Sequence, residues 1–192
     1  MELRELKNCI DLAIDKCQAM ISENPNIILS ESDFEKLLCN CISEVIKEDK
    51  LRPGDDDFSV HTQISHYFDG KSHSDIRVDI LLLQESKLQF CTKHKGFKYC
   101  FDSFAIELKY LHENNTVRNV KCDFCKRKDL DNESWLYVVV LLDYSKENEN
   151  KYRDKEREIE LYANELYKEK EEYKINLFYR VLRKKVNNSI KE

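Results

Sequence analysis

The chain has little of what loosens a polypeptide, with three glycines and two prolines among its 192 residues. That scarcity argues against long flexible linkers and a loop-rich architecture. Long hydrophobic runs are missing too: the longest apolar stretches are strand-sized, far short of the ~20 residues a membrane-spanning helix needs. There is no glycine-rich phosphate loop, which argues against an ATPase or a kinase. The N-terminus opens on a helical alternation of acids and bases rather than a signal peptide, so the expectation is a cytoplasmic protein with no membrane partner. An excess of positive charge is also lacking. A net charge of −5 does not announce a nucleic-acid binder. It does not exclude one, because affinity follows local basic patches rather than the sum.

What the chain does have is charge and a core-sized apolar fraction, at 36% and 41% of residues. This composition predicts a soluble protein with well-decorated faces and a sizeable core. Eight cysteines are present without a secretory context. Cys9, Cys17, Cys39 and Cys41 fall in helical patterns and read as small packed hydrophobes. Cys122 and Cys125 form a CxxC, and with Cys91 and Cys100 upstream four thiolates could close a zinc site. No flanking glycines shape a knuckle, so packed or free thiols are the preferred reading.

Leu3, Leu6, Ile10, Ala13, Cys17 and Met20 repeat at three-four spacing and predict an amphipathic helix ending near Asn24-Pro25. Residues 1–25 are therefore expected to pack as a helix on a main domain of residues 26–192, with a dimer contact through this helix as the lesser reading. A second helix is expected from Ser30 or Ser32 to Glu48. Strands follow at 58–68 and 75–84, then a hairpin-like element over 88–111 with a basic turn around Lys93–Gly96. Residues 114–131 carry a weak helical pattern. Trp135–Tyr144 is the clearest buried central strand. A charged helix over 155–173 and a strand over 175–182 complete a mixed α/β order without repeats.

One segment stands apart. In Phe104-Ala105-Ile106-Glu107-Leu108-Lys109-Tyr110, strand alternation sends Glu107 and Lys109 to one face of an apolar strand. Burying opposite charges costs several kcal/mol each unless they are paired or hold a metal. Glu-x-Lys by itself is common here, as at Glu5/Lys7, Glu85/Lys87 and Glu149/Lys151, so the pattern alone carries little. Context selects Glu107/Lys109, because an earlier strand, Arg77-Val78-Asp79-Ile80, also carries an acid on the face opposite its apolar neighbours. If the two strands pair, two carboxylates and an ammonium converge. A hard divalent cation relieves the repulsion between such carboxylates, and a lysine beside them suits phosphodiester hydrolysis.

Asp79 followed by Glu107-Leu108-Lys109 on the next long strand resembles the PD-(D/E)XK nuclease superfamily, the restriction-endonuclease-like fold. Val78 replaces the proline usual before the first acid. The likeness covers residues 30–144, in the order helix, three strands, helix, strand. It implies a mixed central sheet flanked by helices, with the N-terminal helix as an addition. It also implies Mg²⁺, with Mn²⁺ as an alternative, held by Asp79, Glu107 and the Leu108 carbonyl, with Lys109 positioning or deprotonating the attacking water. The superfamily often adds a glutamate from the first core helix. At ~100° per residue, Glu31 lies about 40° from the centre of that helix's apolar stripe and Glu35 nearer its edge, which makes Glu31 the inward candidate. Ser32-x-x-Glu35 also reads as a capping box, and first-turn acids suit the helix dipole, so capping and metal binding both stay open for Glu31.

The expected partner is nucleic acid, DNA ahead of RNA, with a homodimer as a further expectation. Lys93, Lys95 and Lys98, then Arg118, Lys121, Lys126, Arg127 and Lys128, are candidates for a phosphate-tracking groove or for a solvated basic face. The terminal run Arg180, Arg183, Lys184 and Lys185 invites the same comparison. The alternative function is a catalytically inactive domain of the same fold that binds nucleic acid or protein. A buried ion-pair network without turnover mimics an active site.

Overall fold

A computed structural model describes residues 3–48, 58–66, 76–91, 96–98, 103–112, 114–128, 130, 134–145, 149–171 and 173–186. Seven strands and five α-helices are assigned among them. Five strands form a mixed sheet: β1 (Phe58–His66), β2 (Ile76–Gln84), β5 (Phe104–Leu111), β6 (Trp135–Ser145) and β7 (Leu177–Val186), adjacent in that order. β1, β2 and β5 run antiparallel to their neighbours, while β5, β6 and β7 are parallel. The short strands β3 (Gln89–Cys91) and β4 (Gly96–Lys98) pair only with each other. The long element expected over 88–111 is therefore a small hairpin followed by a separate sheet strand. Lys93–Lys95 of its basic turn lie outside the described residues, as do Cys100 and the side chains of Cys91 and Lys98.

Helices cover both faces. α1 (Leu3–Glu23) and α2 (Glu31–Glu48) bury Leu6, Ile10, Ile14, Phe34, Leu38 and Ile42 against Ile80, Leu82, Ile106, Val139 and Leu141. α3 (Arg118–Cys125) and α4 (Glu149–Glu169) bury Val120, Phe124, Ile159 and Ala163 against Leu81, Ala105, Val138 and Val140. β6 contributes alternate residues to both cores, which is why its sequence is one unbroken apolar run. Leu6, Ile10, Ala13 and Cys17 of the α1 stripe are buried against the rest of the chain, and Leu3 and Met20 at its ends are partly buried. No described helix is long and apolar enough to cross a membrane.

Local chemistry sets the boundaries that matter. Pro25 ends α1, because its ring cannot continue the helix and it donates no hydrogen bond; a 3-10 turn, Pro25–Ile27, follows. α2 is capped by Ser30, whose Oγ accepts the Asp33 amide at 3.2 Å, while Asp33 Oδ2 accepts the Leu29 amide at 3.1 Å. The cap is thus built from Ser30 and Asp33, not from the expected Ser32 and Glu35, and the Glu31 carboxylate is left to do something else. α4 begins six residues before the expected 155. Its first turns are polar, but Tyr152 is buried there and donates its hydroxyl to the Asp143 carbonyl. β7 starts at Leu177 rather than 175, after a short helix α5 (Tyr173–Asn176) on which Ile175 faces solvent.

Candidate functional site

The ladder between β2 and β5 ends at Ile80 opposite Ile106. One rung further in the same register would set Asp79 opposite Glu107, and there the strands separate. β5 presents alternate amides toward β2, and past Ile106 those of Leu108 and Tyr110 lose their ladder partners. Two carboxylates replace them. Asp79 Oδ2 accepts the Leu108 amide at 2.8 Å, and Glu31 Oε2, from the first turn of α2, accepts the Tyr110 amide at 3.1 Å.

Glu107 lies on the opposite side from α2, on the face covered by α3, and is only 1% exposed. Its Oε2 accepts a hydrogen bond from Lys126 Nζ at 2.6 Å, while its Oε1 is buried with no hydrogen-bond partner. Asp123 on α3, 5% exposed, sits between the two lysines. Its Oδ1 is 3.7 Å from Lys126 Nζ and its Oδ2 is 3.6 Å from Lys109 Nζ, and that Oδ2 also lacks a hydrogen bond. Lys109 Nζ reaches across to Glu31 Oε1, also at 3.6 Å. Four carboxylates and two ammoniums from α2, β2, β5, α3 and the turn after it therefore form one network.

Its electrostatics follow from crowding and burial. Burial pushes the Glu107 carboxyl up to about 8, helped by Asp79 and Asp123 and opposed by Lys126. Burial likewise lifts Asp123 to about 6, against the pull of Lys109 and Lys126. For Lys109, burial works against the charged form, but Asp123, Glu31, Asp79 and Glu107 together outweigh it and hold its pKa above that of an ordinary lysine. Lys109 is a cation at neutral pH.

Glu31, Asp79 and Glu107 meet here, together with Lys109; Glu35 lies one turn along α2 from Cys39, whose thiol is pushed up to about 12 by burial and, second, by the Glu35 charge. Asp123 and Lys126 are additions. Asp123 carried a signal: it falls three residues after Val120 and one before Phe124, within the buried stripe of α3. Lys126 gave none beyond membership of a basic run. The rest of that run is largely committed within the protein. Arg127 is 1% exposed and donates to Asn176 Oδ1 and the Leu130 carbonyl, so it is no phosphate ligand. Lys121 and Lys128 pair with Glu165 and Glu169 of α4, Arg180 pairs with Asp15, and Arg183 pairs with Glu156. Lys184 is buried and donates to the Ile28 carbonyl.

Oxygen donors alone line the network, the chemistry that hard divalent cations select. Among the described residues no three acidic, histidine or cysteine side chains stand close enough together to hold a metal as they are arranged. Glu107 Oε1 has no hydrogen-bond partner and Asp123 Oδ2 has only the Lys109 ammonium at 3.6 Å, so both oxygens keep lone pairs that fit a cation. No protein-family model, no curated protein and no solved structure matches this chain.

Proposed function

We propose that the chain is a divalent-metal-dependent nuclease of the PD-(D/E)XK, restriction-endonuclease-like type, hydrolysing phosphodiester bonds, in DNA ahead of RNA. The observation that carries this reading is the separation of β2 from β5 where Asp79 and Glu107 would face each other, beside a buried Glu107 oxygen without a hydrogen bond. Further support comes from the element order. α2, then β1, β2 and β5, then α3 and β6 repeat the helix, three strands, helix, strand sequence that the resemblance implies.

Asp79, Glu107, Glu31 and the Leu108 carbonyl are the groups that would hold Mg²⁺ or Mn²⁺, which when bound supplies Lewis acidity to the phosphodiester and to the attacking water. A strand residue directs its amide and carbonyl to the same edge, so the Leu108 carbonyl is directed toward Asp79 along with the amide that Asp79 accepts. Lys109, kept protonated by its carboxylate neighbours, serves as a fixed positive charge and hydrogen-bond donor for the developing charge on the phosphate. A general base, which needs a neutral amine, is the alternative role once a bound cation neutralises those carboxylates. Asp123 holds Lys109 from the α3 side and Glu31 holds it from the α2 side.

One observation favours the second reading, an inactive domain of the same fold. Asp79 and Glu31 already satisfy backbone amides of β5, a structural task that needs no metal. The two readings separate on cleavage of plasmid, single-stranded DNA and RNA in Mg²⁺ and in chelator, by wild type, Asp79→Ala and Lys109→Ala. The nuclease reading expects cleavage by wild type in Mg²⁺ only. Equal residual cleavage in all three proteins sinks it.

A further inference from the structure

Lys126 makes the closest charge contact in the network, and it makes it to the most deeply buried acid. It is the residue that follows α3 and opens the 3-10 turn Lys126–Lys128, so its stem reaches inward from a helix end while its side chain stays 30% exposed. Glu107 has no such route to water. Its charged form needs a cation within contact distance, because an isolated buried carboxylate carries a desolvation cost of several kcal/mol. Lys109, the lysine of the Glu-x-Lys segment, lies instead against Asp123 and Glu31. The position beside Glu107 and Asp123 is thus held by a second ammonium, while each acid keeps one buried oxygen without a hydrogen bond.

We propose that Lys126 is a resident counter-ion that occupies the cation position between Glu107 and Asp123 and is displaced toward solvent when a divalent cation enters, with Asp123 joining Glu107 as a ligand. This rests on the nuclease reading and adds to it a regulation of the same site: metal loading is a cation exchange in which the ammonium, and any proton held on the two acids, leaves as the divalent ion enters. The exchange accounts for the lack, among the described residues, of a ready-made set of three acids, since the ammonium separates groups that a divalent ion draws together. It also gives α3 a function that the Glu-x-Lys strand does not supply.

The test uses the full chain and MnCl₂ alone, without nucleic acid. Calorimetric titration compares wild type with Lys126→Ala, with Lys126→Met, which keeps the aliphatic stem, and with Lys121→Ala, which removes one positive charge from the adjoining helix α3. Removing the resident ammonium is expected to tighten Mn²⁺ binding by about tenfold or more, the scale on which outer groups tune metal sites. Lys121→Ala is expected to stay within about threefold of wild type, because an exposed charge is screened by salt. In wild type, acylation of Lys126 by a small amine-reactive reagent, read by mass spectrometry, is expected to rise when MnCl₂ is added. Equal or weaker binding by both Lys126 variants, or acylation indifferent to Mn²⁺, overturns the exchange while leaving the metal site standing. Absence of Mn²⁺ binding in every protein removes the nuclease reading and the exchange together.

Discussion

Asp79 Oδ2 accepts the Leu108 amide at 2.8 Å, just beyond the last rung that joins their strands. The contact gives Asp79 two separable tasks, one structural and one electrostatic. Asp79→Asn keeps an oxygen acceptor for the amide and removes the charge, so its stability is expected within about 1 kcal/mol of wild type. Asp79→Ala leaves the amide unpaired and is expected to cost about 1–3 kcal/mol. Both are expected to lose Mg²⁺-dependent cleavage by about 100-fold or more. Urea denaturation and plasmid cleavage on the same preparations check this, and wild-type cleavage by Asp79→Asn contradicts a charged ligand at that position.

Glu107 makes the folded protein sensitive to pH in the absence of metal. Its carboxyl is raised from the ordinary 4.5 to about 8, so between those values the folded chain holds a proton that the unfolded chain has released. The resulting stabilisation is fully present below about 4.5 and is lost as pH rises through 8. Glu107→Gln has no such proton to lose. In chelator, the stability of the variant relative to wild type is expected to grow across that window, by at most about 1.4 kcal/mol per pH unit. Chemical denaturation at pH 5, 6.5 and 8 measures it. A difference that does not change with pH contradicts the raised carboxyl.

Lys184 ties the α2 end of the site to the sheet. Its Nζ donates to Tyr110 Oη at 2.7 Å and to the Ile28 carbonyl at 2.8 Å, and it pairs with Asp143 Oδ2 at 3.1 Å. Ile28 lies two residues before the Ser30 cap, and Tyr110 gives its amide to Glu31. Lys184→Met leaves the partly buried Asp143 with Tyr110 and His112 but without its lysine, and leaves the Ile28 carbonyl without its donor, which is expected to destabilise by about 1–3 kcal/mol. Through Ile28 it is also expected to loosen Glu31 and weaken Mn²⁺ binding. Unfolding curves and calorimetry read the two effects, and a variant as stable as wild type contradicts the anchoring role.

The acids of the site were legible where they violated a local pattern. Glu107 interrupts an apolar strand, Asp79 interrupts another, and Glu31 sits on the inner side of a helix that Ser30 and Asp33 cap without it. Asp123 violates the α3 stripe in the same way, but Cys122 and Cys125 on either side point to thiol chemistry instead. Lys126 and Lys184 could not be read, because a lysine in a basic run looks solvated until the packing of its element is known. Packing is a long-range property: Lys126 meets Glu107 only through α3 docking on the sheet, and Lys184 meets Ile28 across 156 residues of chain. The α/β class was legible from the periodicities of α1, α2 and β6. The hairpin β3–β4 was not separable from β5, since one apolar strand pattern runs into the next.

Lys109 decides between two chemistries for the proposed reaction. Its ammonium stands 3.6 Å from both Glu31 and Asp123, and those carboxylates hold it charged. A residue held in that form contributes a positive charge, and arginine supplies one as well, although in a different shape. A general base is different, because arginine does not give up its proton in the working range. Lys109→Arg is therefore expected to retain cleavage within about tenfold of wild type, while Lys109→Gln falls by about 100- to 1000-fold, the scale of losing one electrostatic donor. Single-turnover cleavage at saturating Mg²⁺ between pH 6 and 9 reads both variants free of product release. Equal loss in Lys109→Arg and Lys109→Gln, with a wild-type rate rising through the lysine titration, would return Lys109 to the role of base.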